Sequence, residues 1–187
     1  MDQDAIADQI IEDHTVYAAA AGAIPVPLAD VAAVAAIQID LVRALAKVYE
    51  VPFDVATGKA VVASLTGASA ARLGASAVKA LPGVGSIGGG IAQSGLSGAS
   101  TYAVGQLFRH HFAQQGTLAE LDVEASRSVY RGLLERGKNV VGTLRPSRER
   151  SVEATATLLE RLARLRDEEV IDAAEFESLK GDVLSRA

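Results

Sequence analysis

Three histidines, one glycine-rich loop and two polar residues in an apolar helix are where this sequence could do chemistry. His14 stands alone, and His110 and His111 are adjacent. Neighbours on a helix point about 100° apart, so that pair does not converge on one ion. No H-x-x-x-H or H-E-x-x-H spacing supplies further ligands. The two follow Arg109 and read as the cationic end of a helix. Cysteine is absent, which removes disulfides, thiolate nucleophiles and cysteine-bound metals. Gly83-Val84-Gly85-Ser86-Ile87-Gly88 matches G-x-G-x-x-G. A dinucleotide site needs a strand before that loop and an acid about 20 residues later. Here a helical pattern precedes it, and no Asp or Glu lies between Asp54 and Glu120, so a hairpin turn is the better account. Gly58-Lys59-Ala60 lacks the earlier glycine and the hydroxyl of a phosphate-binding loop. Asp30 and Gln38 interrupt an apolar helix. Asp30 falls in the first turn after Pro27, where the helix dipole favours an anion, so capping is preferred to a buried functional carboxylate. With no paired carboxylates and no Ser–His–Asp arrangement, the sequence offers no catalytic residue, cofactor site or metal site. It reads as a protein that is not an enzyme.

The elements that would position these residues are helical throughout. Net charge is −5, which speaks against a nucleic-acid-binding face. Tryptophan is absent and aromatics are 4%, so the chain has few bulky groups for an interlocking core, and helices touching through small residues suit it better. Periodic apolar residues mark helices at about 3–21 and 27–49. Asp2, Asp4 and Asp8 open the chain where a secretory leader would be positive, so the protein reads as not secreted. Pro52 ends the second helix and Asp54 reads as an N-cap.

Helices at about 55–80 and 86–113 flank the turn at Leu81–Gly85 and make a glycine-rich hairpin over 55–113. Small residues recur every four positions on both arms, Gly67, Ala71 and Ala75 on one and Gly90, Ser94 and Gly98 on the other. That spacing places them on one helix face, where two backbones can approach closely. From Ala80 to Phe108 no residue is charged. The stretch exceeds the roughly 20 residues that cross a ~30 Å hydrocarbon core, but its serines, glutamines and threonine, and Arg72 and Lys79 on the first arm, weaken that reading. The hairpin therefore packs into or onto a bilayer, or forms the buried core of a soluble bundle.

The sequence divides into a main domain at 1–115, an amphipathic helix and basic linker at 116–150, and a two-helix unit at 151–187. Leu158, Leu162 and Leu165 give the last unit a short heptad-like seam. Asp172 with Glu175 three residues on is a capping box, opening a helix whose apolar face holds Phe176 and Leu179. So small a unit must dock on the main domain, on another copy or on a partner. The cluster Arg145, Arg148 and Arg150 reads as a solvated linker, with attraction to anionic lipid as the competing account.

Two stretches carry a family resemblance. Ala19-Ala20-Ala21-Gly22-Ala23-Ile24-Pro25-Val26-Pro27-Leu28-Ala29-Asp30, with Ile37-Gln38 and Ala46-Lys47-Val48-Tyr49, is similar to the opening signature of bacterial domain-of-unknown-function family 697. Leu81-Pro82-Gly83-Val84-Gly85 through Thr101-Tyr102-Ala103-Val104-Gly105 is similar to its second signature, and the likeness covers about 10–113. The resemblance implies a helical, membrane-associated domain often fused to or encoded with GTPases of the translation-factor superclass, with no established activity. The tail from Leu159 to Lys180, with Val170-Ile171 before the cap at Asp172, resembles the short C-terminal oligomerisation-type domain called SHOCT. Glu169 stands where that pattern usually has glycine, which leaves the turn expected to be less left-handed. The expectation is an all-α bundle with a glycine-rich hairpin and a small interaction tail, in the bacterial cytoplasm or on the cytoplasmic face of the inner membrane. It would bind a protein partner or itself, with membrane lipid a further partner, no nucleic acid, and a GTPase partner by resemblance alone.

Overall fold

The computed structural model describes residues 2–22, 29–77, 87–143 and 148–184, apart from the side chains at 29–31, 68–77, 87–93, 148–155 and 182. It is all-helical. The order is α1 (Gln3–Gly22), α2 (Ala29–Val48), α3 (Val55–Ala77), α4 (Ile87–Ala113), a 3₁₀ turn (Leu118–Glu120), α5 (Val123–Thr143), α6 (Arg148–Asp167) and α7 (Ala173–Leu184), with no strand among the described residues.

Local chemistry explains where the helices begin. The Asp54 carboxylate accepts from the Thr57 amide at 2.7 Å and opens α3, and Asp122 accepts from the Ala125 amide at 3.0 Å and opens α5. Asp172 and Glu175 form the reciprocal box, with the Glu175 amide donating at 2.7 Å and the Asp172 amide at 2.9 Å. Three helices end in the same way. Glu50, Gln115 and Glu169 have φ of 57°, 63° and 57°, and the amide that follows each reaches back to the carbonyl of Ala46, His111 or Leu165. This is the Schellman closure, which usually recruits glycine because a Cβ is crowded in left-handed backbone. The turn at Glu169 is thus fully left-handed, contrary to the expectation drawn from its side chain. The closure aims Val170 inward, and its burial holds the turn.

Helix α4 sits at the centre, packed against α1 and α5 along much of its length and against α2. Alanines at 7, 18, 21, 33, 36, 46, 99 and 103 are all buried. Among the bulkier core groups, Phe108 and Phe112 pack with ring centres 5.4 Å apart and planes inclined at 49°. Glycine admits the closest approaches. A Cβ on Gly137 of α5 would lie 2.6 Å from the Ala99 carbonyl oxygen of α4, and one on Gly98 would lie 2.9 Å from Val141 and 3.1 Å from Ala19. Helix α5 therefore runs through Gly137 to Thr143, seven residues into 137–150, the part of the 116–150 stretch whose glycines and proline read as linker. Gly137 breaks nothing because it is the contact point.

Helices α6 and α7 pair with each other and lie on α1 and α2. Leu158, Leu162, Leu165, Ile171, Phe176 and Leu179 are buried there. Among the described residues, no helix is long and apolar enough to cross a membrane. The buried half of α4 faces other helices of the same chain.

Two consequences are measurable by thermal unfolding. Gly137→Ala should destabilise the protein by about 1–3 kcal/mol through overpacking, while Gly132→Ala on the open face of the same helix should stabilise it by about 0.5–1 kcal/mol. Glu169→Gly should stabilise by about 0.5–1 kcal/mol, because the left-handed position loses its Cβ clash while the unfolded chain gains freedom.

Candidate functional site

One charge cluster is withdrawn from solvent, where α1, α2 and α6 meet. Helical spacing puts His14 and Tyr17 of α1 on one face. Asp40 enters from α2, and Arg161 comes from α6, set among Leu158, Leu162 and Leu165. His14 is 2% exposed and Asp40 8%. His14 Nδ1 lies 2.7 Å from the Ile10 carbonyl oxygen. A carbonyl only accepts, so Nδ1 carries a proton. Arg161 Nη1 donates to Asp40 Oδ2 at 2.7 Å and approaches His14 Nε2 at 2.9 Å. The guanidinium cannot accept, so Nε2 is the acceptor and the imidazole is neutral in this arrangement. One nitrogen of Arg161 thus bridges two acceptors that are 3.2 Å apart. The guanidinium carbon lies 4.4 Å from the centre of the Tyr17 ring, a cation–π contact. A second ion pair, Arg43 of α2 with Glu168 at the end of α6, flanks the cluster.

Burial pushes the Asp40 carboxyl up. Its contacts with His14 and Arg161 outweigh burial and hold it below the usual carboxylate value. Asp40 is therefore an anion at neutral pH.

A second polar set ties α2 to α4 and α5. Gln38 Nε2 donates to Ser100 Oγ at 3.0 Å and Thr101 Oγ1 at 3.2 Å, and Ser100 meets the Tyr130 hydroxyl at 2.8 Å. Burial raises the Tyr130 hydroxyl above its ordinary value, against the opposing bond from Ser100. Ser94 donates to the Ala19 carbonyl at 2.7 Å. Among the described residues, Thr15 Oγ1 is buried without a partner.

What could these groups do? A histidine whose Nδ1 proton is held by an acceptor is a general-base arrangement when its Nε2 faces a nucleophile. Here that nitrogen faces a guanidinium. Arg161 Nη1, Asp40 Oδ2 and His14 Nε2 are spent on joining three helices. Among the described residues no group of three or more His, Asp or Glu could hold a metal ion. A cavity of about 300 Å³ lies elsewhere, between α4 and α5, lined by Leu107, His110, Gln114, Val129 and Leu133 among others. His111, also on its wall, donates Nε2 to the Thr117 carbonyl at 2.8 Å. None of the cluster residues lines that cavity.

The structure brings some of the sequence-derived residues together and separates others. Gln38 joins α4, and the six tail residues share one core with α1 and α2. Ser94 and Gly98 face α1. Gly67 is exposed, and a Cβ there would meet nothing within 4 Å. Ile24, Pro25, Pro27, Pro82, Gly83, Gly85 and Arg145 lie outside the described residues, as do the side chains of Asp30, Ala71, Ala75, Arg148 and Arg150 and the surroundings of Gly90. The turn of the glycine-rich hairpin falls in that gap. The sequence reading missed Asp40 and Arg161. Asp40 carried a signal: Ala36 and Ile37, its neighbours on the same helix face, are apolar, so an acid there needs a partner.

A helical bundle built around a glycine-bearing central helix, with its buried charges used as a clamp, is the class of protein defined here. The chain matches the model of the family described as Domain of unknown function (DUF697) over residues 1–139 and belongs to that family. It is 34% identical over 152 residues to Magnetosome membrane protein 22 of Magnetospirillum gryphiswaldense, covering 79% of this chain and 78% of that one. No solved structure matches. The family match ends within α5, so His14 and Asp40 lie inside it and Arg161 beyond it.

Asp40→Asn removes the anion and leaves Arg161 facing an amide. We expect a loss of about 2–4 kcal/mol near neutral pH, read by denaturant unfolding. The folded carboxyl sits below its unfolded value, so its contribution is present above about pH 4 and is lost as pH falls below that. The variant should lose that part of the acid limb.

Proposed function

We propose that this chain is a non-enzymatic helical protein that works at a membrane and organises a protein partner or further copies of itself. The observation that carries this is the likeness, over most of both chains, to a protein named as a magnetosome membrane protein. The closed cluster supports the non-catalytic part, since its histidine is aimed at an arginine rather than at a reacting group. Attachment would be to the cytoplasmic face of a bacterial inner membrane, through the glycine-rich hairpin at 55–113 or through a bound protein. Helices α6 and α7 would be the SHOCT-like unit; Leu158, Leu162, Leu165, Ile171, Phe176 and Leu179 are buried in the closed arrangement, so a partner would take them once the unit leaves α1 and α2. A separate GTPase is the partner that the family resemblance suggests. In this reading 1–115 is the membrane-proximal unit, 116–150 the connector and 151–187 the interaction unit.

A second reading keeps the organising role and drops the membrane. The inward-facing half of α4, with Ala99, Ala103, Val104 and Phe108 buried against other helices, favours it.

The test is fractionation of the chain expressed without detergent. Retention in a carbonate-washed membrane pellet is the expected result. Recovery in the supernatant as a monodisperse species by light scattering would sink the membrane reading. The mass of that species would then tell a self-assembling protein from one that waits for a partner.

A further inference from the structure

The clamp between α1, α2 and α6 contains one anion and two side chains able to be cations. Arg161 is always charged, and Asp40 is already paired with it at 2.7 Å. His14 fits only as a neutral acceptor, because its Nδ1 proton is committed to the Ile10 carbonyl and its Nε2 receives Arg161. A second proton on Nε2 would point a donor at a donor across 2.9 Å and place two positive charges beside one carboxylate. The same proton has a second destination 3.2 Å away, the Asp40 oxygen itself. Protonated His14 and Arg161 therefore compete for one oxygen atom. His14 belongs to the same helix layer as Asp40 and keeps its place, whereas Arg161 can leave with α6.

We propose that a proton on His14 is a release signal for the α6–α7 unit: the neutral imidazole accepts from Arg161 and holds α6 against α1 and α2, and the imidazolium takes Asp40 and expels Arg161. Among the described residues, His14 makes no hydrogen bond or ion pair to a charged group other than Asp40 and Arg161. Helix α1 contributes the neutral ring of Tyr17, and its nearest acid, Asp13, accepts from Gln9 at 3.0 Å. Helix α2 contributes Asp40 alone at the contact. Helix α4 is uncharged from Ile87 to Phe108. Arg43 and Glu168 neutralise each other at the flank. The inference stands whether or not the chain meets a membrane.

The absence of cysteine makes the test direct. Spin labels at Lys59→Cys on α3 and Glu177→Cys on α7, both exposed positions, report the distance from the tail to the bundle in the full chain. At about pH 7.5 one narrow distance is expected, and at about pH 5 a second, broader population should grow, the ratio moving about tenfold. His14→Gln keeps a neutral acceptor and should stay narrow at both pH values. His110→Gln with His111→Gln should respond like the parent. Unchanged distances in the parent between the two pH values would overturn the proposal, as would a full response in His14→Gln. Should His14→Gln fail to fold by circular dichroism, Arg161→Gln decides. It should be broad at both pH values, and a narrow distance in that variant would show that Arg161 does not hold the tail.

Discussion

Helix α4 has too little side chain to keep its neighbours at the usual distance, and the rest of the architecture follows from that. Gly98 lets α1 and Val141 of α5 close in, Gly105 lies against Ile11 and Leu41, and Gly137 lays α5 directly on the Ala99 backbone. Packing at this separation draws attraction from many short contacts instead of a few bulky groups. It also brings polar side chains on different helices within bonding range, as Gln38, Ser100, Thr101 and Tyr130 show. A Cβ at Gly98 would press on Val141 and Ala19, one at Gly105 on Ile11 and Leu41, and one at Gly137 on the Ala99 backbone.

The tail is held differently. Its leucines bury on α1 and α2, but apolar burial alone does not select one position along a smooth face. Arg161 does, because Asp40 and the Nε2 atom of His14 are acceptors at fixed points. A buried ion pair is a weak source of net stability and a good source of register. The bundle and its tail are thus joined by a contact chosen for place more than for strength.

Much of this was legible in the sequence, and the limits are physical. The helices of the described residues were signalled by apolar periodicity or, for α3 and α4, by the turn between them, and the starts at Asp54 and Asp172 by capping chemistry. The end of α5 was not, because Gly137 and Gly142 look like breakers until the opposing Ala99 is in view. The clamp was not legible either. His14 and Asp40 are 26 residues apart and Arg161 is 121 residues beyond Asp40, so no local pattern links them. An aspartate beside Ala36 and Ile37 signals a need, but not which distant cation meets it. In the described part of α4, Ser94 and Gly98 approach α1 and α5; Ala71, Ala75 and the surroundings of Gly90, on which the approach of the hairpin's arms would rest, lie outside the described residues.

The separation in sequence also has a consequence in time. A ribosome adding about 5–20 residues per second needs roughly 6–24 s to travel from Asp40 to Arg161. Through that interval α1 and α2 already exist and Asp40 has no arginine. The contact that places the tail can thus close only after every residue of α1 to α5 has been made.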